Sequence, residues 1–208
     1  TPENGHVRVA CSNGYQTLWA KCDCITKGSG TTAVPVEAID EMLKAASSSM
    51  LIRVFDNAIA YNSGSLSLES SIRADSKLVT PMIPRVMESH RKPDSPSAIV
   101  DRIELINAIK SADSVSQKRA IPSVKVEIDI AKLVVSCDNS ETSVTSDVPA
   151  STIGTASFRF AASDIVGTLS KMSSEKVCIE HHPDSPAAWF SPYGDENILI
   201  AVQIIRNE

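Results

Sequence analysis

The sequence predicts an α+β fold built by repetition: a short amphipathic helix followed by a run of antiparallel strand-like segments occurs three times. Helices open near Val36, Asp101 and Ser163, spacings of 65 and 62 residues, and a nearly fixed period of this size signals duplicated structural units. Behind each helix come short segments of alternating character separated by brief polar turns, which is the pattern of a strand meander. A further pair of strands stands ahead of the first helix with no helix of its own. The chain therefore reads as the later half of one two-module unit followed by a complete second one.

Taken in order, residues 7–11 and 17–22 are predicted strands around a Ser12-Asn13-Gly14 turn, where glycine supplies positive φ without strain. The first helix follows Pro35, which suits a first helical turn, and places Val36, Ile39, Met42, Leu43 and Ala46 on one face. Glu37, Asp40, Glu41 and Lys44 take its wet side, and the serines at 47–49 end it. Residues 50–55, 58–62 and 65–72 then read as strands, separated by Asp56-Asn57 and Ser63-Gly64.

Residues 90–97, with Pro93 and Pro96 among charged and small neighbours, read as a connector. The expected division is therefore 1–90 and 91–208. In the second module Asp101 is a good N-cap with Glu104 three residues on, and Ile103, Leu105, Ile106 and Ile109 supply a wide apolar face. Strands are expected over 124–130, 132–137 and 141–148, the last two joined by Asp138-Asn139-Ser140. In the third module Ser163 is the expected cap of a helix carrying Ile165, Val166, Leu169 and Met172, modestly weakened by Gly167. Residues 176–180, 187–190 and 197–205 are its strands.

The composition, 208 residues with 42% hydrophobic, is that of a globular protein able to bury a core. No run of about 18 apolar residues and no charged-then-apolar leader occurs, so the expected location is the cytoplasm. The sequence opens on Thr1 and reads as a processed or trimmed chain. The net charge of −5 divides into eight Lys/Arg against nine Asp/Glu over residues 1–88 and twelve against sixteen over 89–208. Neither part is a basic nucleic-acid platform, and any contact with DNA must be local and weak.

Five cysteines (Cys11, Cys22, Cys24, Cys137, Cys178) lack zinc-ligand spacing and are expected reduced and mostly buried. His181, His182 and Asp184 stand together beside Pro183, but no third ligand sits at a suitable spacing, and a surface turn is the expected reading. No Gly-x-Ser-x-Gly elbow and no phosphate-cradling loop appears among the eight glycines, so catalysis, nucleotide hydrolysis, cofactors and metals are not expected.

Several stretches, in order, look familiar. Val100 through Lys110 (Val-Asp-Arg-Ile-Glu-Leu-Ile-Asn-Ala-Ile-Lys) resembles the opening helix of the last domain of the bacterial DNA polymerase III beta subunit, the sliding clamp. Phe160 through Leu169, the segments around Val177 and Trp189, and Ile200 through Arg206 resemble that domain's final helix, hairpin and C-terminal strand. Val9 through Gln16 sits where clamps carry an Ala-Thr-Asp-Gly-His-Arg signature, and Ser71-Ile72 with Met82-Ile83-Pro84 resembles the end of their middle domain.

The resemblance covers nearly the whole chain. It implies residues 1–90 as the later half of the clamp middle domain and 91–208 as the complete C-terminal domain, with helices on one face of a continuous sheet. It also implies a non-catalytic processivity factor of DNA polymerase III: a ring formed by self-association of the full-length protein encircles duplex DNA without sequence preference and tethers the polymerase. The low bulk basicity suits a ring that slides, because tight phosphate contacts would hinder it. Arg102, Lys110 and Lys171 are the candidate DNA-facing groups.

Clamps dock the polymerase III alpha subunit, the clamp loader and other motif-bearing proteins through a short peptide in a cleft between their middle and last domains. Carried over position by position, that cleft comprises Ser12, Asn13, Gly14, Tyr15, Gln16 and Thr17 of the signature turn, Pro81 and Met82 of the segment closing the middle domain, and from the last domain Asp164, Pro186, Ala188, Ala201, Gln203, Ile204, Ile205 and Arg206. Such a site needs an apolar floor with a few polar groups at its rim. Three departures stand out. Tyr15-Gln16 replaces the usual His-Arg, Asp164 stands where tyrosine is common, and Gln203-Ile204-Ile205 replaces a Met-Pro-Met run. The alternative is a clamp-like adaptor that binds peptides without encircling DNA.

Overall fold

The computed structural model describes residues 3–13, 15–28, 32–45, 50–55, 58–63, 66–71, 91–117, 122–139 and 141–205. Gly14, Pro81, Met82 and Arg206 lie outside them. The chain packs as two compact units, one of Thr1–His6 with Cys24–Arg85 and the other of Val7–Asp23 with Val86–Glu208.

The smaller unit contains α1 (Val36–Ala45) and a three-stranded antiparallel sheet. Its strands, in sheet order, are β3 (Leu51–Val54), β4 (Ala58–Ser63) and β5 (Leu66–Ser71). The central strand β4 buries Ile59 and Tyr61, as expected where both neighbours supply backbone partners. The apolar stripe of α1 is narrower than its sequence implies: Ile39 and Met42 are half-buried, whereas Val36 and Leu43 are exposed. At about 100° per residue those two lie one above the other on the stripe's flank, about a quarter of a turn round from its centre.

The larger unit carries a sheet of ten strands, the first two counted by their parts within Val7–Asp23, and its helices α2 (Arg102–Ser116) and α3 (Ser163–Lys171) share its core. The strands are β1 (Glu3–Ser12), β2 (Gln16–Thr26), β6 (Ser97–Asp101), β7 (Val124–Asp129), β8 (Lys132–Asp138), β9 (Ser143–Ile153), β10 (Ala156–Phe160), β11 (Lys176–Glu180), β12 (Ala187–Pro192) and β13 (Ile198–Gln203). Their order across the sheet is β1-β2-β13-β12-β11-β6-β9-β8-β7-β10. All the pairings from β2 onward are antiparallel.

Alternation decides which face is buried. Val124, Val126 and Ile128 of β7, Leu133, Val135 and Cys137 of β8, and Ile200 and Val202 of β13 all point into one core with Leu105, Ile106 and Ile109 of α2 and Ile165 and Leu169 of α3. The long strand β9 joins the two halves of the sheet, since residues 143–149 pair with β8 and 150–153 pair with β6.

Several sequence expectations need correction here. Ser163 does not cap α3. It is the first helical residue, Ala162 holds the cap position, and no side chain caps the end. Asp101 does cap α2, its Oδ1 accepting from the backbone N–H of Ile103 at 2.8 Å and of Glu104 at 2.9 Å. Ile103 is 51% exposed because it lies across the helix from the buried row of Leu105, Ile109 and Ala112. Residues 97–101, read as the tail of a connector and the start of a helix, form β6 in the middle of the sheet between β11 and β9. Residues 156–160 form β10, which the sequence reading passed over.

The cysteines are free, as expected, but only Cys137 is fully buried; Cys11 and Cys22 are exposed, and Cys24 and Cys178 are intermediate. β1 is the edge strand of the sheet and β2 lies next to it, between β1 and β13. The Cys178 thiol is pushed up to about 11 by burial first and by the neighbouring Glu180 carboxylate second, so it stays protonated and unreactive at neutral pH.

Candidate functional site

The C-terminal strand sets the site. β13 pairs with β2 from Ile198↔Ala20 to Val202↔Gln16, and the Gln203 N–H extends the ladder to the Tyr15 carbonyl at 2.8 Å. The chain then turns off the sheet. The Ile204 N–H donates to the Pro186 carbonyl at 3.0 Å and the Ile205 N–H to the Arg159 carbonyl at 2.7 Å, so consecutive residues are held from the β11–β12 turn and from β10. The Asn13 Oδ1 closes the β1–β2 turn by accepting from Tyr15 N–H at 3.0 Å and Gln16 N–H at 2.7 Å. The Gln16 Nε2 donates to Thr168 Oγ1 at 2.8 Å, tying that turn to α3.

These ties frame an open cleft of about 970 Å³ lined by Tyr15, Gln117, Pro122, Ala161, Ser163, Asp164, Pro186, Gln203, Ile204 and Ile205. The volume is at the upper end of the range for ligand sites, enough for several side chains. Ile204, Ile205, Pro186, Pro122 and Ala161 give it apolar walls. Among the described lining residues, one carries a charge, Asp164 in the first turn of α3. Burial raises its carboxyl above the ordinary value, with a hydrogen bond from Ser163 Oγ opposing the shift.

Of the residues assigned from the sequence, Tyr15, Asp164, Pro186, Gln203, Ile204 and Ile205 line this cleft. Asn13 and Gln16 do not line it but fix the β1–β2 turn and tie it to α3, and Thr17 and Ser12 are bonded to each other through Thr17 Oγ1 donating to Ser12 Oγ at 3.0 Å. Ala188 is fully buried in the core, where no bound peptide can touch it. Ala201 sits in mid-sheet, paired with Thr17 and Trp189. Gln117, Pro122, Ala161 and Ser163 were missed. They come from element ends that only the packing of α2 against α3 brings to one place.

The basic candidates separate in the same way. Arg102 is committed to structure, its Nε donating to the Ser174 carbonyl at 2.7 Å and its Nη1 to the Leu169 carbonyl at 3.2 Å. The Leu169 carbonyl lies in the last turn of α3, where orphan acceptors and the helix dipole both favour a cation, and Ser174 follows just beyond the helix end. Lys110 and Lys171 are exposed on α2 and α3. The same exposed side of α2 carries Glu104 and Asn107, so its charge is close to balanced.

The turn after β11 is more than a surface loop. His181 is 2% exposed, its ring centroid lies 4.8 Å from that of Phe158, its Nδ1 is 3.3 Å from the Ala187 carbonyl, and its backbone N–H donates to the Pro96 carbonyl at 3.1 Å. Among the described residues no cluster of three metal-ligating side chains occurs. Burial lowers the imidazole pKa, opposed by the Ala187 contact and assisted by His182. The unfolded chain therefore binds this proton more readily than the native one. Its stabilising contribution is full above the ordinary histidine range and is lost as pH falls through that range, levelling off below the native pKa. Thermal melts between pH 7.5 and 5 are expected to show a smaller acid-side loss in His181→Gln than in the parent; equal losses would remove His181 as the cause.

No protein-family model matches the sequence, and none of the curated proteins does. Solved structures match closely in shape. The DNA polymerase III beta subunit of Thermotoga maritima superposes with a TM-score of 0.86 at 16% identity, over 99% of this chain and 56% of that one. The Pseudomonas aeruginosa sliding clamp gives 0.84 at 15% identity, over 99% and 57%. The same organism's clamp bound to griselimycin gives 0.84 at 18% identity, over 99% and 56%. Alternating apolar positions tolerate wide substitution while the registers persist, which is how a fold survives at such low identity. The chain spans a little over half the length of these clamps, and across nearly all of its residues it has the fold of the bacterial DNA polymerase III beta subunit, the sliding clamp.

Proposed function

We propose that this chain is part of a DNA sliding clamp: a non-catalytic processivity subunit that tethers a DNA polymerase to duplex DNA and docks partner peptides in the cleft beside β13. On this reading residues 1–90 are the later half of a middle domain and 91–208 a complete last domain. The observation that carries it is the cleft, in which Ile204 and Ile205 are held by separate backbone bonds and face Pro186, Pro122 and Ala161. An apolar groove with a hydrogen-bonding rim suits a short linear segment entering side chains first. The polymerase III alpha subunit, the clamp loader and other motif-bearing proteins are the partners in this view. Pro81, Met82 and Arg206, which the resemblance adds to the cleft, lie outside the described residues.

Encirclement of DNA by an assembled ring would place Lys110 and Lys171 toward the phosphates. One finding favours the adaptor reading instead: Arg102 is spent on α3, and exposed Glu104 offsets Lys110 on α2. Fluorescence anisotropy with a labelled clamp-binding peptide from an alpha subunit is expected to give saturable binding, displaced by unlabelled peptide. Absence of saturation would remove the cleft. Retention of the full-length protein on nicked circular DNA, lost on linearisation, separates a ring from an adaptor that binds peptides alone.

A further inference from the structure

We propose that Asp164 selects the occupant of the cleft: a linear peptide that places a lysine or arginine against this carboxylate while its apolar side chains pack on Ile204, Ile205 and Pro186. This rests on the peptide-cleft reading above and adds which peptide is preferred. The argument is one of charge complementarity. The described lining residues are apolar or neutral except Asp164, and no ion pair with a described residue engages it. Its one described side-chain partner is Ser163 Oγ, at 3.4 Å, a weak contact at the limit of hydrogen-bond range.

A partly buried carboxylate held by so little is costly to keep ionised, as its raised pKa records. A cation arriving with the peptide recovers part of that cost, whereas a peptide carboxylate or phosphate at the same place adds repulsion. An acidic residue in the first turn of α3 also suits the helix dipole. That role alone would give Asp164 an effect on stability and none on peptide choice, which makes the two separable.

The test uses fluorescein-labelled hexapeptides that share leucine and phenylalanine anchors and carry Lys, Gln or Glu at each remaining position in turn, titrated against the parent chain, Asp164→Asn and Asp164→Lys. At one position the Lys peptide is expected to bind about fivefold more tightly than the Gln peptide, the order expected of a partly solvated ion pair, with the Glu peptide weaker again. The preference should collapse in Asp164→Asn, with Gln-peptide affinity retained, and reverse in Asp164→Lys. Circular dichroism establishes that both variants fold. Binding of the Gln peptides with no charge preference at any position, or a preference that survives in Asp164→Asn, overturns the proposal and leaves the cleft reading standing. Failure of every peptide to bind the parent chain removes the cleft reading itself.

Discussion

Phe160→Ala is expected to destabilise the larger unit by about 3–5 kcal/mol, the usual cost of deleting a fully buried aromatic ring. Phe160 is 0% exposed at the end of β10, its ring 6.0 Å from that of Phe158 and 5.8 Å, edge to face, from that of Phe190 on β12. It therefore ties β10, the last strand of the ten-stranded order, to β12, the fourth, next to the turn that starts α3. Removing the ring costs its transfer energy, its contacts with Phe158 and Phe190, and the cavity left where it stood. Urea denaturation followed by far-ultraviolet circular dichroism measures this directly. Phe160→Leu should cost about 1–2 kcal/mol, because most of the volume stays. A loss below about 1 kcal/mol for the alanine variant would mean that the core there is far more plastic than close packing allows.

Ile205→Asp should weaken peptide binding about a hundredfold or more, roughly 3 kcal/mol, while leaving the melting temperature within a few degrees of the parent. The side chain lines the cleft and is only half-buried, and the contact that positions it is a backbone bond to the Arg159 carbonyl, which the substitution leaves available. An aspartate there removes apolar contact area and puts a second carboxylate in the groove that already holds Asp164. Anisotropy titration with the alpha-subunit peptide reads the effect, and an affinity unchanged within twofold would remove Ile205 from the docking surface. Deleting residues 203–208 should have the same effect on binding. It should also cost some stability, since it removes the Gln203 to Tyr15 tie between β13 and the β1–β2 turn.

Much of the architecture was legible before any coordinates. The three helices begin within one residue of their expected starts, because amphipathic spacing and the Asp101 cap are local signals that tertiary context did not override. Strands flanked by clear turns, such as β4, β8 and β11, were equally plain. β6 and β10 were not. β6 is five residues long and runs straight into a helix cap, and the apolar residues of β10 merge into the helix that follows. Nothing local marks where one element ends and the next begins.

The site divides along the same line. Residue order was enough to nominate Tyr15, Asp164, Pro186 and the Gln203–Ile205 run, and six of those positions meet in one cleft. It could not show that Ala188 faces the core, that Arg102 is spent on the end of α3, or that Gln117 and Pro122 line the same cleft. Periodicity and capping are written in neighbours a few positions apart, so the chain alone determined its helices, most of its strands and its repeated plan. Which side chains share a groove depends on contacts between residues far apart in the chain, here up to 190 positions from Tyr15 to Ile205. Only the packing of the sheet against α2 and α3 decided that.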